Sequence, residues 1–163
     1  LDFMVLADHA ELMGAFHRLY SGDKAVGKTK SGKAMLELGG AQTDSELLDV
    51  YKLVVSAATG SGANDYGLSA VDLTRDMHAG DARKPTWNAV IDAAERHNQP
   101  GQFTTFIGWE WSSLPKGANL HRVVFTPQGG DIARQFLPYS QMESTDPQKF
   151  VENHFLSVYK KSP

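Results

Sequence analysis

Two apolar runs, about a hundred residues apart, each end in side chains able to hold a metal ion, and this limits the fold more than any other feature. Residues 1–7 read Leu-Asp-Phe-Met-Val-Leu-Ala and run into Asp8, His9, Ala10 and Glu11. Residues 103–109 read Phe-Thr-Thr-Phe-Ile-Gly-Trp and run into Glu110. A third run, Val123-Val124-Phe125, is opened by Asn119-Leu120-His121-Arg122. Parallel barrels build active sites at the C-terminal ends of their strands, because the loops there converge on one face. A neutral imidazole and a carboxylate are common ligands for zinc, manganese or iron. The pattern implies a metal site with too few ligands to close it.

Bulk composition narrows the class. A chain of 163 residues suits one domain, and 41% hydrophobic with 21% charged residues supports a packed core. A formal net charge of -3 argues against nucleic-acid binding driven by overall positive charge. No apolar run reaches the ~18–20 residues of a membrane span, so no membrane partner is expected. With 0 cysteines, disulfides and thiolate metal sites are excluded, while compartment stays open. Leu1 already stands inside an apparent core strand, so the chain reads as an internal piece of something longer.

Periodicity supplies an α/β order. Residues 1–7 lack alternation, as a strand covered on both faces does. Leu12, Met13, Phe16 and Leu19 predict a helix over 10–20. Gly and Lys residues predict a loop over 21–31, and Gly and Ser another over 59–64. Leu47, Leu48, Tyr51, Val54 and Val55 form a helical stripe over 45–58, with Asp44 or Ser45 as N-cap. Trp87, Val90, Ile91 and Ala94 predict a helix over 85–98, ended by Pro100-Gly101 and feeding the strand at 103. Asp146-Pro147 opens a last helix over 147–159. The stretch from 21 to 84 reads as a long, mostly helical insertion between the first two core strands. Gly27-Lys28-Thr29-Lys30-Ser31-Gly32-Lys33-Ala34 nearly spells a phosphate-binding loop. It lacks the final Ser or Thr and the preceding strand that such a loop needs.

The segments 1–11, 93–96, 102–111 and 119–124 resemble the domain of unknown function family 3604. That family is similar to the polymerase-and-histidinol-phosphatase (PHP) superfamily of metal-dependent phosphoesterases. The resemblance implies an α/β fold, a distorted (β/α) barrel with two or three metals at the strand ends. His9 and His121 match ligand histidines, and Glu110 matches a carboxylate that often bridges two metals. The superfamily's first His-x-His strand is absent, as is its later motif with a further Asp and His. The expectation is therefore one domain over 1–163, a partial barrel carrying about half of the ligands.

The implied chemistry is phosphoester hydrolysis by metal-activated water. The cofactor is a divalent metal: zinc, manganese or iron. Glu110 and Asp8 are the candidate catalytic carboxylates, with Asp8 orienting the ligand histidine or a water, or else capping a helix. Arg122 could pair with the phosphate of a small phosphorylated substrate, although arginine is more commonly a surface or ion-pair residue. The other reading is a non-catalytic metal-binding or structural domain that has lost activity with its missing ligands. A truncated barrel exposes sheet edges, so a homo-oligomer is expected; a strictly monomeric species in light scattering would count against it.

Overall fold

The apolar runs become strands β1 (Phe3–Leu6), β2 (Thr104–Ser113) and β3 (Leu120–Thr126), hydrogen-bonded in that order into one open sheet. The computed structural model describes residues 2–39, 42–59, 66–80, 83–113, 120–141, 143, 146–150 and 152. The architecture is mixed α/β, with helices α1 (Ala15–Tyr20), α2 (Lys24–Gly27), α3 (Lys30–Leu38), α4 (Asp44–Thr59), α5 (Ala70–Met77) and α6 (Arg83–His97) lying between β1 and β2 in sequence. Short helices α7 (Gly130–Ala133) and α8 (Pro147–Phe150) follow β3. Two compact units result: Leu1–Met13 with Arg83–Pro163, and Gly14–Ala82. No helix among the described residues is long and apolar enough to cross a membrane.

In the unit that holds the sheet, β1 pairs with β2 in parallel, from Phe3 opposite Thr104 to Leu6 opposite Ile107. β3 pairs antiparallel with β2, from Ile107 opposite Thr126 to Ser113 opposite Leu120. Alternation then assigns the faces. Ile107, Trp109, Trp111 and Val124 point to one face and join Trp87 and Ile91 of α6, with Ala10, Met13 and Ala133, in the core. Val90 and Ala94 pack at its margin, so the stripe read from the sequence of α6 is the stripe that packs. Trp87 stands edge-on to Trp109, their ring centroids 5.8 Å apart, and its Nε1 donates to the Ala133 carbonyl at 2.9 Å. Gly108 is required by close approach: a Cβ there would lie 2.5 Å from Val5 Cγ2 and 2.8 Å from the Val124 carbonyl oxygen.

Three expectations change here. The first strand was expected to be covered on both faces, yet Phe3, Met4 and Leu6 are exposed. β1 is the edge of the sheet, and among the described residues nothing pairs with its outer side. The helix expected from residue 10 begins at Ala15. Leu12 adopts φ 58° and Gly14 φ 70°, left-handed values that keep 10–14 in turns. Asp8 is accordingly not a helix cap. The last helix is described only as α8; the remainder of the 147–159 expectation lies outside the described residues, as does most of the 59–64 loop.

The second unit is helical. The expected 21–31 loop contains α2, capped by Asp23 through the N–H groups of Ala25 and Val26, and the start of α3, capped by Thr29. The loop-like Gly27–Ala34 segment thus follows a helix, not a strand. At α4 the cap is Thr43, not Asp44 or Ser45: its Oγ1 accepts from Glu46 N, and Glu46 Oε2 accepts from Thr43 N at 3.0 Å. Leu47, Leu48 and Tyr51 of the expected stripe are exposed, and Leu53 is buried instead.

Buried Asp76 ties α5 to α3. It accepts from Ser31 N at 3.0 Å and Ser31 Oγ at 2.9 Å, and it pairs with Arg75. Burial pushes this carboxyl up, but the Ser31 donors and the Arg75 guanidinium outweigh it and hold the group below the usual carboxylate range. A depressed folded pKa contributes stability that is complete above the unfolded value of about 3.9 and is lost as pH falls through the folded value. Asp76→Asn is therefore expected to cost ~1–3 kcal/mol near neutral pH. The difference from the parent should shrink in urea melts run below about pH 4. A gap that stays constant with pH would contradict this.

Candidate metal centre

The parallel pairing of β1 and β2 does not stop at Leu6. Glu110 N donates to the Asp8 carbonyl at 2.8 Å, and Ala10 N donates to the Glu110 carbonyl at 2.9 Å. His9 and Glu110 therefore form an in-register parallel bridge, which places their side chains on the same face. On the other flank Ser112 stands opposite His121. Ser112 lies two residues beyond Glu110, so it shares that face. His9, Glu110, Ser112 and His121 thus gather on the side of the sheet away from the tryptophans.

The distances among His9, Glu110 and His121 are such that the group could hold a metal ion. One potential ligand atom from each of His9, Glu110 and His121 lies within 4.8 Å of the others. Glu110 Oε1 is hydrogen-bonded to His121 Nδ1 and stands 3.7 Å from His9 Nε2. Ligand atoms about a tetrahedral ion with ~2.0–2.2 Å bonds stand roughly 3.3–3.6 Å apart, so the His9–Glu110 separation is close to what an ion needs. The imidazole rings are nearly perpendicular at 83°, with centroids 5.5 Å apart. The Glu110 side chain is 19% exposed, against 57% for His9 and 46% for His121, so the carboxylate forms the floor and the imidazoles the rim. Two imidazoles and one carboxylate suit a divalent ion such as zinc, manganese or iron.

Two further side chains join the cluster, and neither stands out in the sequence. Ser112 Oγ lies 3.1 Å from His9 Nδ1, 2.9 Å from His121 Nδ1 and 3.2 Å from Glu110 Oε1. Glu11 Oε2 lies 3.3 Å from His9 Nδ1. The only signal for either is spacing: each sits two residues beyond a ligand candidate.

The remaining candidates lie apart from this group. Asp8 is exposed and enters the pairing through its backbone carbonyl. Arg122 follows His121 in the strand and so points to the opposite face, opposite Trp111 in register. Its Nη1 donates to the His121 carbonyl at 2.8 Å.

No curated protein and no solved structure gives a significant match to the chain. A family model does match, over residues 1–161, and its description is "Protein of unknown function (DUF3604)". With nearly the whole sequence inside that match, the chain belongs to the DUF3604 family.

Proposed function

We propose that this chain is a metal-dependent hydrolase of the phosphoesterase type, built on part of a PHP-like barrel. The observation that carries the reading is the convergence of His9, Glu110 and His121 within 4.8 Å at the end of a parallel strand pair. When bound there, a divalent ion supplies Lewis acidity toward a phosphoryl oxygen and lowers the pKa of water. The chain's own residues have simpler tasks. His9 and His121 would hold the ion through ring nitrogens, ligands that add no negative charge to it. Glu110 neutralises part of its charge from a half-buried position. Asp8, next to His9 but apart from the cluster, enters only through its backbone carbonyl, so no proton transfer is assigned to it. Arg122 points to the opposite face of the sheet from the cluster, so it is left out of the proposed site. The exposed outer side of β1 supports the expectation of a homo-oligomer.

The test is hydrolysis of an aryl phosphate and a small alkyl phosphomonoester by protein loaded with zinc, manganese or iron. Turnover that needs metal and disappears in His9→Ala and Glu110→Ala is expected. Stoichiometric metal without hydrolysis of either ester would favour the other reading, a metal-binding domain without chemistry.

A further inference from the structure

The carboxylate of Glu11 is held as though its direction matters. Its side chain is only 10% exposed, and its two oxygens are divided between tasks. Oε1 accepts from Ser112 N at 3.3 Å and from Gln141 N at 3.0 Å, two backbone donors from separate parts of the chain. Oε2 is left facing His9 Nδ1 at 3.3 Å. The next residue, Leu12, takes the left-handed conformation at φ 58°, which side chains of its type rarely adopt. Such a turn is maintained when the surrounding contacts over-determine it.

We infer that Glu11 is the positioning residue of the metal centre: it fixes His9 as the tautomer protonated on Nδ1 and leaves Nε2 free as the ligand nitrogen. This deepens the function proposed above and rests on it for the metal itself. Both groups facing His9 Nδ1 are acceptors there: the Glu11 carboxylate at 3.3 Å, and Ser112 Oγ at 3.1 Å, whose own proton goes to Glu110 Oε1, so the geometry puts the proton on Nδ1. The lone pair is then on Nε2, the nitrogen that lies 3.7 Å from Glu110 Oε1. Metal-bound histidines are commonly oriented in this way by a carboxylate on the far nitrogen. Glu11 also joins the His9 turn to β2 through Ser112 N, so the imidazole is fixed relative to Glu110 as well as in its tautomer.

Glu11→Gln separates this role from mere packing, because the amide has the same shape. Its oxygen must stay with the two backbone donors, since its NH2 group cannot accept from them. The NH2 then faces His9 Nδ1, which must become an acceptor, and the proton moves to Nε2. The experiment records the ring nitrogen-15 shifts of His9 in metal-free protein above neutral pH, for the parent and for Glu11→Gln, and then zinc affinity by calorimetry. The expected result is a proton on Nδ1 in the parent, on Nε2 in the variant, and zinc bound ~10–100-fold more weakly by the variant. A proton on Nε2 in the parent overturns the inference, with no variant needed. So does a folded variant whose tautomer and zinc affinity match the parent's. A parent that binds no zinc overturns the proposed function and the ligand role given to Nε2, while the metal-free spectra still decide the tautomer. Zinc binding with the expected tautomers but no hydrolysis removes the hydrolase reading and supports the positioning role.

Discussion

Glu110→Ala is expected to remove divalent-metal binding from this chain. The carboxylate is the shared element of the cluster, hydrogen-bonded to His121 and 3.7 Å from His9 Nε2. Without it two imidazoles remain on separate segments, β3 and the turn after β1, with no anionic group between them. Losing an oriented partner outside the ligand set commonly costs ~10–100-fold in metal affinity, and losing one of three ligands should cost more. Thermal melting reads the effect directly. An ion present at 100 times its dissociation constant stabilises the folded parent by about 2.7 kcal/mol. The Glu110→Ala melting temperature should not respond to the same zinc addition, and elemental analysis should find the variant empty after dialysis. A variant that keeps its metal, or still gains stability from zinc, would mean that the ion sits elsewhere.

Trp87→Ala should produce the largest loss of stability. The indole is 1% exposed, stands edge-on to Trp109 and donates to the Ala133 carbonyl, so one substitution removes packing, an aromatic contact and a hydrogen bond. Truncating a buried tryptophan costs ~3–5 kcal/mol. That is a large part of the ~5–15 kcal/mol that holds a typical domain together. Trp109 directly precedes Glu110 on β2, so loosening the core side of this strand should also weaken metal binding. Urea denaturation of the metal-free protein measures the first effect. A loss below about 1 kcal/mol, the level of an ordinary surface substitution, would show that α6 does not support the sheet as described.

The parts of this arrangement that were legible in the sequence are those governed by a single local rule. The helix α6 follows from Trp87, Val90, Ile91 and Ala94 at helical spacing, and all of them pack as that spacing implies. The strands follow from apolar runs, and the grouping of His9, Glu110 and His121 follows from the family resemblance. In the structure Glu110 lies within β2 and His121 near the start of β3, and the sheet register brings them together with His9. What the sequence hid depends on pairing or on backbone conformation. The faces of β2 are decided by register, so Ser112 joins the ligands while Arg122 turns away. Glu11 reaches His9 because a left-handed Leu12 breaks the helix that residues 10–20 suggest. The exposure of β1 reflects its place at the edge of the sheet, and apolar composition alone cannot distinguish an edge strand from a covered one. In α4 the expected stripe of Leu47, Leu48 and Tyr51 lies in solvent while Leu53 is buried, because packing against neighbouring helices chooses the face.

Anomalous diffraction from crystals grown with zinc, with data on both sides of the absorption edge, locates the ion without reference to activity. One peak is expected, within bonding distance of His9 Nε2, a Glu110 carboxylate oxygen and a His121 ring nitrogen. A fully loaded crystal with its peak elsewhere, or these three groups turned away from one another around empty solvent, would contradict the metal centre and the hydrolase reading built on it.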